Sequence, residues 1–120
     1  MRLASLTLDE VNQNLAQAFA DEHGVSLDVQ ARPEGIRDGN YDAVLFDPES
    51  FPPNECPANL TAVLDCHPNR PIAIHGYGFS ADQMHDLRQR GALVARRLDA
   101  EIFARLLSVV RAGWQRQTVA

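Results

Sequence analysis

Five short apolar runs, spread through 120 residues, do most to limit what this chain can fold into. They are "RLASL" (2–6), "VSLDVQA" (25–31), "YDAVLF" (41–46), "RPIAIHG" (70–76) and "ALVA" (92–95). Each has the length and the β-branched or alternating character of a strand. The stretches between most of them carry a helical period instead. "LDEVNQNLAQAFADEHG" (8–24) places Val11, Leu15, Ala18 and Phe19 on one face and stops at Gly24, with Thr7 and Glu10 spaced as its capping box. "PANLTAVLDCHP" (57–68) offers Leu60, Val63 and Leu64 before Pro68. "SADQMHDLRQRG" (80–91) has Ser80 and Gln83 as a capping box and Gly91 as its stop. "LDAEIFARLLSVVRAGWQ" (98–115) is the final helix, with Asp99 as N-cap. "RPEGIRDGN" (32–40) reads as a loop with little room for a helix. Strands alternating with helices predict a parallel sheet covered on both faces, with the second helix short or absent.

The length suits one domain over residues 1–120. No apolar run is long enough to cross a bilayer, and the first residues reach acids before any signal-type core forms. A cytoplasmic location is therefore expected, with Cys56 and Cys66 as free thiols. Those two cysteines and His67 fall short of a zinc ligand set. Every basic residue is an arginine, and the charge is uneven. Residues 1–80 carry a net −8 and residues 81–120 a net +3. With a pI of 5.2 and no aromatic residues interleaved with the arginines, nucleic acid is not an expected partner.

In open parallel sheets the working site lies at the carboxyl ends of the strands. Asp47 ends the third run and is followed at once by Pro48, and later by Pro52 and Pro53. The Thr7–Glu10, His75–Tyr77 and Arg96–Arg97 corners fall at the same rim. Asp9 and Glu10 are also explained as first-turn acids favoured by the helix dipole. His75 can be a packed residue or, facing the site, a group that titrates near neutrality. "HGYGFS" (75–80) can be an ordinary turn or a cradle of backbone N–H groups for an anion. No serine or cysteine sits in a nucleophile elbow, so a hydrolase is not expected.

With "YDAVLFDPESFPP" (41–53), "RPIAIHG", "RQRGALVARRLDAEIFARLL" (88–107) and this order of elements, the whole chain resembles the receiver domain of two-component response regulators. The resemblance implies a flavodoxin-like (CheY-like) five-stranded α/β fold, with Asp47 at the phosphoacceptor position. It further implies a divalent cation held by an acidic pair, a hydroxyl and a lysine, because a phosphoryl group and a carboxylate are both anions. Here the acidic pair falls on Thr7 and Leu8, or on Leu8 and Asp9 with a one-residue slip. The hydroxyl position falls on Gly76, the lysine on Arg96, and the proline that usually follows it on Arg97. One chemical residue is kept and one is exchanged for a relative, and arginine lacks the compact ammonium. The expectation is a stand-alone pseudo-receiver: a signalling adaptor that binds another protein, with no enzyme activity, cofactor or bound metal. Two alternatives stay open. One is a phosphorylatable receiver whose Mg²⁺ is held by Asp9, Glu10 and Asp47. The other is a small-anion or nucleotide-binding module using the "HGYG" turn.

The last helix carries more apolar surface than covering a sheet requires. Ile102, Leu106, Val109 and Gly113 form one stripe; Phe103, Leu107, Val110 and Trp114 form a second that ends in a tryptophan. The second stripe is the expected binding interface, for a homodimer or another signalling protein. The alternative is a helix set deep enough to bury both.

Overall fold

The computed structural model describes residues 1–66 and 70–113. The strands are β1 (Arg2–Leu6), β2 (Ser26–Gln30), β3 (Ala43–Phe46), β4 (Ile72–His75) and β5 (Leu93–Ala95). They form one parallel sheet in the order β2-β1-β3-β4-β5. The helices are α1 (Glu10–His23), α2 (Pro33–Asp38), α3 (Cys56–Cys66), α4 (Ala81–Gln89) and α5 (Ala100–Arg111), with a 3₁₀ turn at Pro48–Ser50. This is the parallel sheet covered on both faces that the alternation of patterns predicts, in the flavodoxin-like, CheY-like order that the resemblance implies.

The inner strands β3 and β4 are buried along their whole length because both faces of the sheet are covered there, whereas the edge strand β2 keeps polar, exposed positions. Leu6, Val44, Phe46, Ile74 and Val94 pack with Ile36 of α2, Val63 and Leu64 of α3, and Met84 and Leu87 of α4. Leu3, Ala43, Leu45 and Ala73 pack with Ala16 and Ala20 of α1 and with Ile102, Phe103, Leu106 and Leu107 of α5. Two alanines on α1 let that helix sit close to the sheet.

Helix ends follow local chemistry. Gly24 ends α1 in the left-handed region at φ 67°. Ser80 and Gln83 form the expected capping box of α4, and Asp99 caps α5 by accepting from the Ile102 amide. The start of α1 differs from expectation. Its N-cap is Asp9, which accepts from the Val11 amide at 3.0 Å, so Thr7 and Glu10 make no capping box. Thr7 continues the β1 ladder through its amide to the Gln30 carbonyl, and that leaves its hydroxyl outside the helix. Residues 33–38, where the second helix is expected to be short or absent, form a six-residue helix with Pro33 in its first turn and Ile36 fully buried. Pro suits a first turn, whose N–H groups have no helical partner.

The second stripe of α5 is corrected in part. Phe103 is 0% exposed and Leu107 1%. Phe103 packs against Phe19 and His23 of α1, with ring centroids 5.5 and 5.7 Å away. Both residues are core: α5 packs against the sheet and α1 and buries Phe103 and Leu107 there together with Ile102 and Leu106. Val110 is half-buried against the same cluster, and Trp114 lies outside the described residues.

Candidate functional site

The strand register builds the site. Leu6 pairs with Phe46, and Phe46 pairs with Ile74. One step further along, Thr7, Asp47 and His75 therefore lie side by side at the carboxyl edge. The ladder continues through this step, with the Asp47 amide donating to the Leu6 carbonyl and the Gly76 amide to the Ala95 carbonyl. β1 and β3 are also the strands where the chain order switches direction, the place where open α/β sheets have their crevice.

Thr7, Asp47 and His75 are the polar side chains buried at this edge, at 1%, 4% and 4% exposure. The Asp47 carboxylate accepts from the Thr7 hydroxyl at 2.9 Å and from the Asn12 side-chain amide at 2.7 Å, both on Oδ2. The Thr7 hydroxyl oxygen in turn accepts from the Asp9 amide at 3.1 Å. Ser50 closes the other side: its hydroxyl donates to the Asp47 carbonyl at 2.9 Å and accepts from the Leu8 amide at 2.9 Å. Asp47 is thus held by neutral donors from β1, α1 and the 3₁₀ turn. His75 faces Asp47, Glu49 and Asp9, which favour its cation, yet burial outweighs them and holds the imidazole below its ordinary value.

A second group of contacts lies beside the first. The Glu49 carboxylate accepts from the Tyr77 amide at 2.5 Å and from the Gly78 amide at 2.6 Å, one on each oxygen. A side chain at Gly78 would meet Glu49 Oε2 at 2.6 Å, so glycine permits this approach. The backbone cradle suspected in "HGYG" exists, and the chain's own carboxylate fills it. Arg96 faces the same turn: its Nη1 donates to the carbonyls of Phe79 at 3.1 Å and Tyr77 at 3.3 Å. Arg96, at the position of the family's lysine, thus directs Nη1 to backbone carbonyls of this turn. Arg97 is exposed, 3.8 Å from Asp99.

These groups line a cleft of about 610 Å³ over Asp47. Leu8, Val11 and Tyr77 stand on its rim and are 49%, 71% and 70% exposed.

The residues do not fit a divalent cation of the kind the resemblance implies. Among the described residues no three His, Cys, Asp or Glu side chains converge on one point. Asp9 is spent on the helix cap, and Glu10 is exposed and does not line the cleft. Leu8 stands on the rim, Thr7 and Asn12 occupy one of the two Asp47 carboxylate oxygens with neutral donors, and Gly76 supplies no hydroxyl. Asp9, Glu10 and Asp47 are therefore not assembled as a ligand set.

Sequence reasoning brought Asp47, Thr7, His75, Gly76 and Arg96 to one rim but missed Asn12, Glu49 and Ser50. Glu49 and Ser50 sit within "DPES", whose proline signals a turn, yet nothing local says that the acid two residues after Asp47 reaches across to β4. Asn12 is a polar residue in the first turn of an amphipathic helix, which is common and carries no signal by itself.

No protein-family model matches the sequence, and no curated protein matches it significantly. Solved structures do match it. A CheY-like response regulator receiver domain protein from Methanospirillum hungatei JF-1 superposes with a TM-score of 0.76 at 13% identity, covering 93% of this chain and 94% of that one. The receiver domain of Francisella response regulator 1452 gives 0.74 at 15% identity over 92% and 97%. A response regulator receiver protein from Burkholderia phymatum gives 0.70 at 14% identity over 92% and 94%. The fold is therefore that of CheY-like receiver domains. At these identities the likeness concerns the fold, and the chemistry must be argued from the side chains.

Proposed function

We propose that this chain is a receiver-fold signalling module that acts by binding another protein and does not take a phosphoryl group on Asp47. The observation that carries the reading is the Asp47 carboxylate, held on Oδ2 by the Thr7 hydroxyl and the Asn12 amide. Phosphoryl transfer to a carboxylate must offset the repulsion of two anions, and this requires cations aimed at the transferring group. Arg96 directs its Nη1 to two backbone carbonyls instead. Neutral donors orient a carboxylate well but offset little charge. The expected product is a fixed site with no enzyme activity and no cofactor.

A protein partner suits the surface. Leu8, Val11 and Tyr77 give the cleft an apolar rim, and Arg96 and Arg97 lie exposed on the same side. A segment with apolar side chains and an acid complements it. The net charge of −5 argues against nucleic acid. Self-association through α5 would rest on Val110, since Phe103 and Leu107 are inside the domain. A cytoplasmic location agrees with the absence, among the described residues, of a helix long and apolar enough to cross a membrane.

The test is intact mass after incubation with acetyl phosphate and Mg²⁺, beside an Asp47→Asn variant and a receiver known to label. No adduct on this chain is expected. A phosphoryl adduct on the wild type that the variant lacks would make Asp47 a working acceptor and overturn the reading.

A further inference from the structure

The geometry points to Glu49 as a built-in anion that latches the 76–79 turn shut. This goes beyond the reading above, because the latch acts whether or not Asp47 can be phosphorylated. Two successive amides, those of Tyr77 and Gly78, converge as a small anion-binding nest. A carboxylate with one oxygen on each amide satisfies such a nest as an external oxyanion would. Glu49 is placed for this by the 3₁₀ turn that follows Asp47, so the occupant comes from the end of β3 and the nest from the end of β4. Two glycines make room. A Cβ at Gly78 would lie 2.6 Å from Glu49 Oε2, and one at Gly76 would lie 3.1 Å from its Cδ and 2.9 Å from the Phe79 ring.

The carbonyl side of the same turn is held by Arg96 from the end of β5. An anion on the N–H groups and a cation on the C=O groups complement the turn's dipoles from opposite sides. Three strand ends are thereby tied through one four-residue turn, and Tyr77 is presented outward from it at 70% exposure. The consequence is autoinhibition of anion binding: phosphate cannot use the Tyr77 and Gly78 amides while Glu49 occupies them. The turn, and Tyr77 with it, keeps one shape without any ligand.

NMR on the full chain tests this through the solvent-exchange rates and shifts of the Tyr77 and Gly78 amides. Wild type, Glu49→Ala and Glu49→Gln are compared, each with and without inorganic phosphate. In Glu49→Ala both amides are expected to exchange about tenfold faster or more, the change for loss of a charge-assisted hydrogen bond. The core amides of Val44 and Ile74 stay protected. Phosphate then shifts and slows the two amides in the alanine variant and leaves the wild type unmoved. Glu49→Gln falls between, having lost the charge and kept an acceptor. It decides the matter if the alanine variant loses core protection. The latch is overturned if the two amides exchange in both variants as in wild type, or if phosphate moves them equally in wild type.

Discussion

Thr7 holds Asp47 by a buried hydrogen bond and Asn12 by a half-buried one, so the first should be the more visible in stability. Thr7→Val keeps the shape and removes the hydroxyl, leaving Asp47 with one donor fewer and the Asp9 amide without its acceptor. A loss of about 1–3 kcal/mol in urea unfolding is expected, the usual cost of unsatisfied buried groups. His75 makes a separate prediction about pH. Its burial disfavours the cation, so below its ordinary value of 6.5 the unfolded chain binds a proton that the folded chain resists. The contribution of His75 is complete above pH 6.5 and is lost as pH falls below it. Unfolding free energy should therefore drop more steeply in wild type than in His75→Gln as pH falls below 6.5. Equal slopes in the two proteins would show that His75 is protonated as readily in the folded state as in the unfolded chain. Asp47 and His75 were legible in the sequence because each ends an apolar run. Asn12 was not, because its role depends on which strand α1 lies beside.

At the scale of the element, α5 is where a pattern admitted two readings. Two apolar stripes can mean an interface or a deep seat, and periodicity does not distinguish them. The structure seats the helix against α1, whose Ala16 and Ala20 leave room for Phe103 and Leu107. Phe103→Ala should therefore cost about 3–5 kcal/mol of monomer stability. A hot spot on a free surface would give almost none, and denaturant unfolding at low protein concentration separates the two. The start of α1 offers a paired test. Asp9→Ala removes the side chain that caps the Val11 amide and should cost about 1 kcal/mol, with Glu10→Ala costing far less. Comparable losses in both would reinstate Glu10 as part of the cap. The second helix, expected to be short or absent, is short: glycine and proline content limits it to six residues, and the burial of Ile36 in the core holds them in place.

For the whole molecule, the polar edge behaves as one preassembled unit. Asp47, the Thr7–Asn12 donors, the Glu49 latch and the Arg96 brace draw on β1, α1, β3, β4 and β5 together. A cation that bound the folded state alone would raise its stability, by roughly 1.4 kcal/mol at ten times its dissociation constant. Thermal unfolding with and without millimolar Mg²⁺ is expected to coincide for this protein. A rise of several degrees that Asp47→Asn abolishes would mean that the donors around Asp47 rearrange to admit the ion. The sequence by itself determined the parallel α/β architecture, because strand and helix periods alternate and each sets its element locally. It also determined which corners meet at the carboxyl edge, since that follows from the direction of the strands. Only the tertiary structure decided what those corners do. Whether Arg96 reaches Asp47 or a carbonyl, whether Glu49 fills the nest, and whether Phe103 faces a partner or α1 are contests between groups far apart in the chain. They are settled by register, helix depth and the direction of a few hydrogen bonds, none of which is a property of any local stretch.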